Sequence, residues 1–156
     1  MKKQKGFSLI ELLIVVAIIL IIAAIAIPNL LKSKMAANES SAVGSLRTIN
    51  TGEVTYAAGC PNIGYSSSLV ELNAGANCAS GLNIIDSVLS TGSKSGYTFA
   101  YAGAPDATGL INTYTITAVP GVVGTTGQRG FFSNQTGVIR YTLSGAAPTA
   151  ASSALQ

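Results

Sequence analysis

The chain has no histidine, only two cysteines and few charges: 10% of its 156 residues are Asp, Glu, Lys or Arg. An ordinary soluble domain carries about 25%. Without histidine, Ser-His-Asp triads and histidine-ligated metal sites are excluded. No serine sits in a GxSxG elbow. Gly121, Gly124 and Gly127 form a spaced run with no following lysine, so a turn between strands explains them better than a phosphate loop. Asp86 and Asp106 stand apart, and no acidic cluster has the spacing of a calcium loop. Neither catalysis nor a cofactor or metal is expected. Aromatics are missing between Phe7 and Tyr56, which argues against an aromatic-stacked conducting path along that stretch.

The formal charge of +3 points to a basic protein only until it is divided by segment. Lys2, Lys3 and Lys5 lie in the first six residues. The remainder sets Lys32, Lys34, Arg47, Lys94, Arg129 and Arg140 against Glu11, Glu39, Glu53, Glu71, Asp86 and Asp106, six against six. No net basic field is left there to attract phosphate, and nucleic acid is not expected as the main ligand.

What the chain has in abundance is apolar surface, 48% of residues, concentrated at the N-terminus. Residues 7–27 are interrupted only by Ser8 and Glu11. As a helix they span about 31 Å, close to the hydrocarbon thickness of a bilayer. The preceding lysines keep that end in the cytoplasm, so the bulk of the chain is exported. Cys60 and Cys78 then fall on the oxidising side, where a disulfide is the simplest reading. Such a bridge contributes about 3 kcal/mol in the chain-entropy model; two free buried thiols are the alternative.

An ordinary secretory signal, cut after the Ala24-Ile25-Ala26 stretch, would have a shorter apolar core. A plain anchor leaves Glu11 without a purpose, and a carboxylate in lipid is costly unless it has a partner. The run KGFSLIELLIVVAIILIIAAIAIPNL resembles the class III signal sequence of type IV pilins and type II secretion pseudopilins. Ser8 stands where that family often has threonine. The resemblance covers residues 1 to about 30. It implies cleavage by a prepilin peptidase after Gly6, N-methylation of Phe7, and pairing of Glu11 with the N-terminal amine of an adjacent subunit. It also implies an inner-membrane assembly platform, an assembly ATPase and homopolymerisation into a surface filament. Motility, adhesion and DNA uptake are roles within the family. A secretion pseudopilin is the rival within this class, and an exported anchored binding domain that never polymerises is the rival outside it.

Pro28 removes a helical donor and clashes with the preceding turn, so a kink or a local melt is expected there, or else a helix end. Beyond it Leu31, Met35, Ala42, Leu46 and Ile49 recur at helical spacing. The amphipathic half reaches about Tyr56, weakened at Gly44 and Gly52. From residue 7 to 56 such a helix is about 75 Å long, and its first half needs lipid or other copies to cover it. Residues 57–95 are rich in Gly, Ser and Asn, with short helical turns expected at 68–72 and 82–89. Strands are expected at 97–102, 113–119, 129–133 and 137–143, the last two joined by the Asn134-Gln135-Thr136-Gly137 turn.

The expected fold is α+β: a long N-terminal helix whose second half packs on a four-stranded antiparallel sheet, the architecture of pilins. The segments are a leader (1–6), an apolar helix (7–28), its amphipathic continuation (29–56), a connecting region (57–95), the sheet (96–144) and a mobile tail (145–156).

Overall fold

The computed structural model describes residues 6–74 and 83–155. Helix α1 (Leu9–Gly59) is followed by α2 (Leu69–Ala74) and α3 (Ser87–Ser90). The strands are β1 (Ser93–Lys94), β2 (Tyr97–Gly103), β3 (Tyr114–Pro120), β4 (Gly130–Asn134), β5 (Arg140–Thr142) and β6 (Ser153–Ala154). They form one sheet in the order of the chain, each antiparallel to the next. The chain divides into two units, one ending at Lys34 and the other beginning at Met35.

In the first unit the helix starts with the glutamate half of a capping box. The Ser8 N–H donates to Glu11 Oε2 at 2.9 Å, and the Leu12 N–H closes the first turn on the Ser8 carbonyl. Helix α1 passes through Pro28 rather than ending at it. The alternative of a helix end at that residue is therefore not met.

In the second unit the buried face of α1 is Glu39, Ala42, Leu46, Ile49, Glu53 and Tyr56. That alternating spacing of three and four residues is a helical stripe. Leu31, expected on this face, is exposed, and Met35 is half-buried. Gly52 lies where a Cβ would come within 2.8 Å of Ile84 Cγ2, so its cost to the helix is offset by close packing. The stripe meets Leu69, Leu72, Ile85, Leu89, Tyr97, Phe99, Tyr114, Ile116 and Phe131 in one core.

Four strands were expected and six are present among the described residues. β1 forms with β2 a hairpin whose two loop residues, Ser95 (φ 51°) and Gly96 (φ 73°), both lie in the left-handed region. This is the twist-matched two-residue turn that favours glycine. β6 lies in the segment expected as a mobile tail. It pairs with β5, and the Leu155 N–H donates to the Ile139 carbonyl at 2.8 Å. Both added strands are two residues long, too short for alternation to register. α3 covers the end of the expected 82–89 turn and is capped by Asp86, which accepts from the Leu89 N–H; Leu82 lies outside the described residues.

Candidate assembly surface and its supporting domain

The N-terminal half of α1 presents apolar side chains that are largely exposed. Phe7 is 84% exposed and Leu9 80%, and Leu12, Leu13, Ile18, Leu20, Ile22 and Ile27 are all more than half exposed. Residues 9–31 contain a stretch long and apolar enough to cross a membrane, with no residue of it buried. Water penalises such a surface by about 25 cal/mol per Å² of apolar area, so lipid or other protein must take it up.

Gly6 and Phe7 precede the first helical turn and are exposed, and no atom stands within 4 Å of the place a Cβ would take at Gly6. Lys2, Lys3 and Lys5 lie outside the described residues. Glu11 sits in the first turn with Oε2 engaged by its own Ser8 N–H. A carboxylate here suits the partial positive charge of a helix N-terminus. Sequence reasoning gave Glu11 a partner on another chain; in the monomer it also has one three residues away.

Within the second unit, glutamates left without a role in the sequence reading tie the C-terminal part of α1 to the loops packed on it. Glu39 Oε1 accepts the N–H groups of Gln128 and Arg129 at 2.8 and 3.1 Å, and Oε2 takes Arg129 Nε at 2.7 Å. Burial pushes this carboxyl up, but those three donors outweigh it and hold the group below the ordinary range. The Arg129 guanidinium also lies over the rings of Phe131 and Tyr141, 5.5 and 5.8 Å from their centroids.

Glu53 is fully buried and accepts from the Ser66 N–H (2.9 Å) and the Ser66 hydroxyl (2.6 Å). Here burial prevails over the donors and pushes the carboxyl up, with Glu71 adding repulsion. Glu71 accepts from the Tyr56 hydroxyl at 2.7 Å and from Ser67 through both its N–H and its hydroxyl. Tyr114 donates to Asn50 Oδ1, and Asn50 donates to the Ser133 hydroxyl. The signal was available: Glu39 and Glu53 are fourteen residues apart, four helical turns, in register with Ala42, Leu46 and Ile49.

Cys60 is buried and disulfide-bonded; Cys78 lies outside the described residues. Asp106, weighed as a metal ligand, instead accepts from Thr108, Leu110 and Asn112 in its own loop. Among the described residues no cluster of three potential metal-binding acids or cysteines is present.

Residues 1–27 match the model of the prokaryotic N-terminal methylation motif. The chain is 46% identical over 54 residues to the type IV major pilin protein PilA of Myxococcus xanthus, which covers 35% of this chain and 24% of that protein. It is 60% identical over 40 residues to the type IV wide pilus major component PilA4 of Thermus thermophilus, 26% of this chain and 30% of that one. The chain thus spans less than a third of the length of either curated relative. No solved structure matches it. With this motif at its head and a long helix joined to an antiparallel sheet, the chain is similar, over the matched stretches, to these type IV major pilins.

Proposed function

We propose that this chain is the structural subunit of a type IV pilus-like helical filament. It is made as an inner-membrane precursor with a cytoplasmic leader and an exported domain, cleaved after Gly6 and N-methylated at Phe7. The observation that carries the reading is the apolar half of α1, exposed at every described position but Ala23 and headed by the methylation motif. Such a helix is stable in lipid before assembly and against the same helix of other copies afterwards. Contacts of one patch with a different patch on the next copy do not close into a ring, and they extend as a helix. Glu11 sets the register by pairing with the Phe7 amine of a neighbour. Each charge is unfavourable alone in an apolar interior, and together they offset one another. Pro28 provides the point at which the helix bends or opens. A Cys60–Cys78 bridge closes the connecting region. The partners implied are the prepilin peptidase, the assembly platform and the assembly ATPase, and the chain itself performs no catalysis.

The test is the intact mass and N-terminal residue of the protein in material sheared from the cell surface. A chain starting at N-methylated Phe7 supports the proposal. A chain starting near Ile27, after the Ala-Ile-Ala stretch, overturns it in favour of an ordinary secreted protein.

A further inference from the structure

Only two places in the sequence have the pattern Asn-X-Ser/Thr with X other than proline: Asn38-Glu39-Ser40 and Asn134-Gln135-Thr136. In an exported chain this pattern is an acceptor for N-linked glycans, provided it lies on the surface. The structure separates the two. Asn38 lies within α1, and its Nδ2 donates to the Thr126 carbonyl at 2.8 Å, so the reacting nitrogen is occupied. Asn134 ends β4 at the tip of the β4–β5 hairpin, where Gln135, Thr136, Gly137 and Val138 are all exposed.

The geometry at the tip orients the Asn134 carboxamide. Its Oδ1 accepts from the Thr136 N–H at 3.1 Å and from the Thr136 hydroxyl at 2.6 Å. A backbone N–H can only donate, so the atom facing Thr136 is the oxygen, which leaves Nδ2 on the outer side. Among the described residues Nδ2 has no hydrogen-bond partner, and no buried side-chain nitrogen is left unsatisfied, so it faces solvent. The turn is closed beneath by the Gly137 N–H on the Asn134 carbonyl, with Gly137 at φ 74°.

We propose that Asn134 is an N-glycosylation site, with Thr136 as the positioning residue. The donor is a glycan carried on a polyprenyl diphosphate. A bond forms between Asn134 Nδ2 and the anomeric carbon, the bond from that carbon to the phosphate oxygen breaks, and the diphosphate leaves with the electron pair. Nδ2 gives up one proton, and no oxidant or reductant takes part. The inference rests on the export of the domain proposed above.

Trypsin cuts after Arg129 and Arg140 and releases residues 130–140, in which Asn134 is the only asparagine. The experiment is mass spectrometry with electron-transfer fragmentation of this peptide, from protein isolated from its native cells, with the intact N-terminus read on the same sample. The expected result is a glycan mass localised on Asn134. Thr136→Ala abolishes it, whereas Thr136→Ser and Asn38→Gln retain it. An unmodified peptide overturns the proposal, and so does a mass on Ser133 or Thr136. If that chain begins at methylated Phe7, the filament reading stands while the glycan reading falls; if it begins elsewhere, both fall.

Discussion

Glu39 and Arg129, ninety residues apart in sequence, meet at 2.7 Å between Oε2 and Nε, and the same carboxylate takes two backbone N–H groups of the β3–β4 connection. One helical side chain thus anchors a loop that has little secondary structure of its own. Glu39→Ala leaves those donors without a partner and is expected to cost about 1–3 kcal/mol. Glu39→Gln keeps one acceptor and costs less. Urea unfolding of the full chain in detergent measures both. Because the folded carboxyl is held below its ordinary value, its stabilisation is present above the unfolded value of about 4.3 and is lost as pH falls through the folded one.

Glu53 has the opposite sign. Its carboxyl is pushed up by burial, so the folded state favours the protonated form. The contribution is present below the unfolded value of about 4.3 and declines as pH rises through the folded one. Glu53→Gln removes this dependence and at pH 7 is expected to be close to neutral or stabilising. Glu53→Ala, which strands both Ser66 donors and opens a cavity, costs about 2–4 kcal/mol. Unfolding midpoints across the acid range, wild type against Glu53→Gln, give the comparison. An unchanged slope would falsify the assignment.

Two glycines separate backbone freedom from close approach. Gly44 is exposed in α1 with nothing within 4 Å of a Cβ, and Gly44→Ala should stabilise by about 0.5–1 kcal/mol. At Gly103 a Cβ would meet the Ser66 carbonyl oxygen. A backbone atom cannot yield as a side chain does, so Gly103→Ala should destabilise by about 1–3 kcal/mol. The sign of each shift in the urea midpoint is the test.

Under the proposed filament function Glu11 has a second task beside its bond to the Ser8 N–H, and variants can divide the two. Glu11→Gln keeps an oxygen for the Ser8 N–H, and so that half of the capping box, but loses the charge. Glu11→Ala loses both. Both are expected to cut the yield of sheared filament at least about tenfold, while only Glu11→Ala shortens the helix start, by about 0.5–2 kcal/mol. Filament yield measured beside precursor abundance in membranes resolves them. Normal filaments from Glu11→Gln would show that the charge is not used.

Much of this architecture is legible in the residues because it depends on period and length. The α1 pattern, the alternation of YTFAYA and YTITAV, and the Asn134–Gly137 turn each placed an element close to where it lies: strands expected at 97–102, 113–119 and 129–133 are Tyr97–Gly103, Tyr114–Pro120 and Gly130–Asn134. Long-range pairing was not legible. β6 exists because β5 has an open edge, and nothing local marks Ser153–Ala154 as a strand. Glu39, Glu53 and Glu71 read as solvated charges because acids usually are; only their register with the apolar stripe betrays them. The exposed apolar surface could be read from composition, but its Ser8–Glu11 closure depended on seeing that the serine and glutamate stand at capping-box spacing.

The burial of those glutamates changes what an ion in solution encounters. Counted along the chain beyond residue 6, the charges cancel. On the surface they do not. Glu53 and Glu71 are enclosed, Glu39 is tied to Arg129, and Asp86 is matched by Lys94 at 2.8 Å. Lys32, Lys34, Arg47 and Arg140 have no ion-pair partner among the described residues, and outside the apolar segment Asp106 is the one exposed acid left to balance them. The portion beyond residue 6, formally neutral, therefore presents an excess of unpaired positive charge, which a sulfonated resin would hold and salt would release as it shortens the Debye length.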